Sequence, residues 1–205
     1  MSAENAIALR PTRRGLVSRG IATVAAASVL TATFETVAFA SADTEAQVLT
    51  ATLAVEQIVL VAYHYALASG ALEPRTARTV RRLLGQELQH VSALAHELVR
   101  LGGRPPTAPA DLAAVQKTLT AHHVPVNLSD LRTQHDCLRL LIDVETVIEG
   151  AYYAAISKLH DPRLLGTSAA IMACEGQHWT LLSGLQSHGD ISMSVPYPFV
   201  QGAAT

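Results

Sequence analysis

The sequence predicts an all-α protein: a four-helix bundle with one long crossover between its second and third long helices. Three observations carry this. The 205 residues are 49% hydrophobic but only 4% aromatic, with Ala and Leu abundant, a balance that suits helices better than strands. Four apolar or amphipathic stretches are too long to be strands and are separated by Gly and Pro signals. The connections between them are short, long and short in turn.

Residues 1–40 read as an export signal ahead of this bundle. Arg10, Arg13, Arg14 and Arg19 precede an apolar run from Ile21 to Ala40, broken only by Thr, Ser and Glu35. The run ends in two A-x-A frames, Ala38-Phe39-Ala40 and Ala40-Ser41-Ala42. Thr12-Arg13-Arg14-Gly15-Leu16-Val17 resembles a twin-arginine signal, which implies export after folding. An uncleaved anchor is the rival reading, because about 20 apolar residues can span a bilayer; Glu35 and the cleavage frames argue against it. Membrane contact is therefore expected only through an uncleaved signal. The expected location is the periplasm, envelope or exterior. Removing residues 1–40, with four Arg and two Glu, changes the net charge from −2 to −4. That charge gives no electrostatic case for nucleic acid.

The bundle is expected over residues 41–190, followed by a tail over 191–205. The first long helix runs from about Asp43 to Ser69 and stops at Gly70; Glu56 is the only charge between Ala46 and Leu72. The second starts at Pro74 or Arg75, keeps Arg78, Arg81, Arg82 and Arg100 outside, and ends at Gly102-Gly103. Arg104-Pro105-Pro106-Thr107-Ala108-Pro109 breaks the chain, and a short helix follows from Asp111 to about Ala121. Ser129 or Asp130 is expected to cap the third long helix, which runs to about His160. Asp161-Pro162 opens the fourth, ending near Gly189. The short connections make two antiparallel hairpins. The linker from Gly102 to Leu128 can span a helix of about 40 Å and return the third helix parallel to the second.

The two hairpins repeat one pattern. Glu56 is followed at +7 by Tyr63, and Glu145 by Tyr152, two turns on along one face. Glu87-Leu88-Gln89-His90 then lies on the second helix and Glu175-Gly176-Gln177-His178 on the fourth. E-x6-Y followed by E-x-x-H thus occurs twice at almost equal offset, which chance does not supply. In the bundle the four carboxylates meet near mid-height, and Glu and His at i and i+3 reach one point. Four carboxylates in an apolar core need protons or cations. Two divalent ions balance them, and oxygen ligands with one imidazole per ion suit iron or manganese, with zinc also open.

This constellation resembles the ferritin-like di-metal carboxylate superfamily, and more narrowly the exported bacterial ferritin-like domain proteins, including those called desiccation-related. The resemblance covers about residues 45–189, and Val195-Pro196-Tyr197-Pro198-Phe199 is similar to that subgroup's ending. It implies Glu56 and Glu145 as terminal carboxylates, Glu87 and Glu175 as bridging ones, and His90 and His178 as imidazole ligands. It also implies redox chemistry with oxygen or peroxide, of ferroxidase, peroxidase or catalase type. Shared ligands do not choose among these, and no C-x-x-C pair is present for a rubredoxin-type iron. The alternative is a non-enzymatic exported stress or envelope protein with a structural or lost metal site.

Several residues carry secondary expectations. Glu149, at i+4 from Glu145, is a candidate fifth carboxylate, as ligand or neighbour of a ligand. Tyr63 and Tyr152 are candidate donors to the ligating carboxylates. His64 is expected to be structural and His122-His123 solvated. Cys137 and Cys174 should differ in height by about 15 Å, too far for a disulfide. The scarcity of charge on the first and fourth long helices suggests a homodimer through their outer flanks.

Overall fold

The first hairpin is bounded by residues that cannot continue a helix. α1 (Thr31–Ala68) stops ahead of Gly70, whose φ of +70° an L side chain resists. α2 (Pro74–Arg100) begins on a proline at its first turn, where no N–H is missed, and ends ahead of Gly102 at φ +79°. The computed structural model describes residues 31–196 apart from 110 and 126, and side chains from residue 44 onward. Residues 1–30, most of the stretch read as an export signal, and the end of the tail lie outside the described residues.

α3 (Leu112–Ala121) is capped by Asp111, which accepts from Ala114 N at 2.8 Å. α4 (Gln134–Ile156) is capped by Thr133, and Thr133 and Asp136 form a reciprocal capping box. α5 (Pro162–Gln186) starts as predicted, with Asp161 accepting from Arg163 N and Pro162 behind it. α6 (Ile191–Ser194) is a single turn in the stretch read as tail.

Contacts at the helix ends fix the directions. Glu45, in the first half of α1, accepts from the N–H groups of His160 and Asp161, each at 2.7 Å. Cys137 at the start of α4 lies against Ala66 and Ser69 at the end of α1. α1 and α4 are therefore antiparallel. Arg100 reaches Asp161 at 3.1 Å and Arg163 reaches Glu97 at 2.8 Å, so α2 and α5 are antiparallel as well. α1 packs on α2 and α4, and α5 on α4 and α2. The result is the predicted bundle, with the chain between α2 and α4 as its crossover.

Three details differ from the sequence reading. α1 begins at Thr31 rather than Asp43, because no Pro or Gly lies between them to interrupt the helix. Ser129 and Asp130 do not cap α4; they belong to a 3-10 turn, Leu128–Asp130, and the cap is Thr133. α4 ends at Ile156, short of His160, in a tight turn closed by Lys158 N and Leu159 N on Ala155 O.

The crossover lies on the outer flank of α1. Val115 and Leu119 of α3 are buried there, and Gln57 donates to Pro106 O at 2.9 Å. This covers part of the apolar surface from which a dimer was inferred. Thr44–Ala68 is long and apolar enough to cross a membrane by length and composition, yet its Leu49, Leu53, Ala62, Tyr63 and Ala66 are buried in the bundle. His122 is half-buried rather than solvated, lining a groove of about 430 Å³ with Ala51, Val55, Ile58 and Thr118; His123 and His64 are exposed.

Candidate metal centre

Each of the four long helices carries its Glu to the middle of the bundle. Glu56, Glu87, Glu145 and Glu175 are fully buried, His178 is 1% exposed and His90 8%. Their ligand atoms form two overlapping groups. Glu56, Glu87, His90 and Glu175 offer one atom each within 4.8 Å of one another, and so do Glu87, Glu145, Glu175 and His178. Glu87 and Glu175 belong to both groups, while each group has its own terminal Glu and its own His. Both groups could hold a metal ion.

The polar atoms converge without satisfying one another. His178 Nδ1 is 2.6 Å from Glu87 Oε1 and 3.1 Å from Glu175 Oε2; His90 Nδ1 is 2.8 Å from Glu175 Oε1. None of these contacts has hydrogen-bond geometry: among the described residues, both oxygens of Glu87 and of Glu175, and both Nδ1 atoms, lack a hydrogen-bond partner. Lone pairs from carboxylates and imidazoles that point at shared positions, away from water, are what a cation requires. The donor set fits two divalent ions of oxygen preference with one imidazole each.

Electrostatics show the strain of gathering these groups as protein alone. Burial raises the pKa of Glu56 and Glu145 well above the carboxylate range, and the neighbouring Glu175 and Glu87 raise both further. Burial would lower that of His90, but Glu175 and Glu87 more than offset this and raise it to about 11. His178 is raised in the same way by Glu145, Glu175 and Glu87, again against burial. Burial opposes the Glu175 anion too, yet the His178 and His90 nitrogens hold its carboxyl below the usual range.

The tyrosines pair crosswise between the repeats. Tyr63 on α1 donates to Oε1 of Glu145 on α4, and Tyr152 on α4 donates to Oε1 of Glu56 on α1. The other oxygen of each carboxylate, Oε2, has no hydrogen-bond partner among the described residues. Each phenol therefore occupies one oxygen and leaves its twin for the centre.

Glu149 is buried but belongs to neither group. Burial, with Glu175 nearby, raises its pKa to about 7. Its Oε1 occupies space that Gly176 leaves open, since a Cβ there would stand 3.2 Å away. Gly176 was not singled out from the sequence, although a glycine within E-x-x-H is visible there. Gln86 was also missed: its Oε1 accepts from His178 Nε2 at 2.9 Å. No sequence signal separates it from Gln89, which is exposed and bonds its own helix. Cys137 and Cys174 are free thiols, Cys174 lying 3.5 Å from His178 Nε2.

The family model for the ferritin-like domain matches residues 44–188. The chain belongs to the ferritin-like domain family. No curated protein and no solved structure matches it.

Proposed function

We propose that this chain is an exported protein whose Glu56, Glu87, His90, Glu145, Glu175 and His178 hold a dinuclear iron or manganese centre for redox chemistry with oxygen or peroxide. The observation that carries this reading is the pair of overlapping ligand groups sharing Glu87 and Glu175. Glu56 and His90 would complete one position, and Glu145 and His178 the other. The ions would supply electron exchange with the oxidant, and the protein supplies the ligands and a buried setting. Tyr63 and Tyr152 orient the terminal carboxylates. Glu149 would stand beside the centre as a buried acid able to hold a proton near neutral pH.

Metal analysis of protein recovered from its own export route tests the proposal, with about two ions per chain expected. Fewer than about one ion, together with Glu87→Ala leaving stability unchanged, would remove it. Peroxide and oxygen consumption by the loaded protein then distinguishes the reactions.

One observation favours the non-enzymatic alternative. Protons on both imidazoles and on Glu56 and Glu145 would balance the four carboxylates without metal, given the raised pKa values. The same metal analysis separates the two readings.

Export is supported by Arg13-Arg14 and the A-x-A frames, and the N-terminal mass of the exported protein tests it. A homodimer is supported by exposed apolar residues such as Leu181 on α5. Sedimentation without detergent is its test.

A further inference from the structure

The two halves of the centre hold their imidazoles differently. The repeat aligns Glu87 with Glu175, and so aligns Gln86 with Cys174. Gln86 reaches from α2 to α5 and accepts from Nε2 of His178 at 2.9 Å. The symmetric reach would take residue 174 from α5 to His90 on α2. A cysteine offers no carbonyl for that purpose, and Cys174 Sγ lies instead 3.5 Å from His178, one turn along its own helix. Among the described residues, Nε2 of His90 has no hydrogen-bond partner. His90 is also the more open of the two, at 8% exposure against 1%.

We infer that the Gln86/Cys174 difference makes the two metal positions unequal. The Glu145–His178 position binds its divalent ion first and more tightly, and the Glu56–His90 position fills second. An imidazole whose outer N–H is held by a carbonyl has its tautomer and ring orientation fixed with the inner lone pair facing the ion. Removing such a partner typically costs 10–100-fold in metal affinity. His178 has this support from the protein; His90 does not. Gln86 is thus a positioning residue acting through His178, and Cys174 marks where its counterpart is lacking. The inference rests on the reading that the cluster holds two ions.

The test is a titration of the metal-free full chain with Co(II), followed by visible absorption and calorimetry. Two steps are expected, at least about tenfold apart in affinity. His178→Ala should abolish the tighter step and His90→Ala the weaker. Gln86 is half-buried, and Gln86→Leu should weaken the tighter step by about 10–100-fold and leave the other in place. Cys174→Gln should tighten the weaker step, while Cys174→Ser leaves both unchanged. Two ions binding to the native protein in one step would overturn the inference. So would a Gln86→Leu protein with native melting temperature and both steps unaltered. If Co(II) does not bind, or binds equally to Glu87→Ala, the dinuclear reading fails and takes the inference with it.

Discussion

Among single residues, the buried tyrosines and Glu149 give the sharpest expectations. Tyr63→Phe or Tyr152→Phe removes a buried hydroxyl donor from one carboxylate oxygen, and each should cost about 1–3 kcal/mol in the metal-free protein. Thermal or urea unfolding measures this. The two losses should depart from additivity, because the carboxylates they serve, Glu145 and Glu56, both interact with Glu87 and Glu175. Glu149 sets a pH dependence. Its folded pKa of about 7 lies above the ordinary 4.5, so the protonated form is favoured by folding. Its contribution to stability is whole below about pH 4.5 and is lost as pH rises through 7, by at most about 3 kcal/mol. Glu149→Gln should therefore stabilise the metal-free protein at pH 8 and change little at pH 4. The E-x6-Y spacing made the tyrosines legible, since +7 keeps a helix face. Their partners were not legible, because each lies on the other repeat.

At the level of elements, local chemistry explains which boundaries the sequence disclosed. Asp161-Pro162 and Gly70 act on the backbone within a residue or two of themselves, so α5 opened and α1 closed where expected. The α4 start was misplaced because Ser129 and Asp130 are also good caps. The decisive signal, Thr133-x-x-Asp136, was present as a capping box. Thr133→Ala should lower stability by about 1 kcal/mol, read from the unfolding midpoint. The apolar α1 suggested a partner for its outer flank; a crossover folding back onto that flank is a tertiary fact that periodicity cannot encode. Glu45 is a similar case. Its grip on the α4–α5 turn joins residues more than a hundred positions apart.

For the molecule as a whole, metal and proton compete for one set of atoms. With His90 and His178 cationic and Glu56 and Glu145 protonated, two divalent ions should displace about four protons. Apparent affinity should accordingly fall as pH falls, and calorimetry in buffers of different ionisation enthalpy counts the protons released. Loading should also raise the melting temperature. Free metal at 100 times its dissociation constant stabilises by about 2.7 kcal/mol per site, and a chelator should reverse the gain. The bundle and its ligand set could be read from the repeat because both rest on i, i+3 and i+7 spacing within helices. The unequal support of the two imidazoles could not, because it depends on one side chain crossing between helices.

The crossed tyrosines have a consequence for how the molecule could be taken apart. Each hairpin contributes one phenol, one terminal carboxylate and one E-x-x-H pair, and each needs the opposite of what it gives. The interface between hairpins is thus shaped like the contact of a two-fold dimer folded into one chain. Cut within the crossover, the pieces should be poor partners for solvent and good partners for each other. A single hairpin paired with its own copy would offer the same exchange. The 33 residues between Arg100 and Gln134 then do not build the site; they set the concentration at which two complementary halves meet.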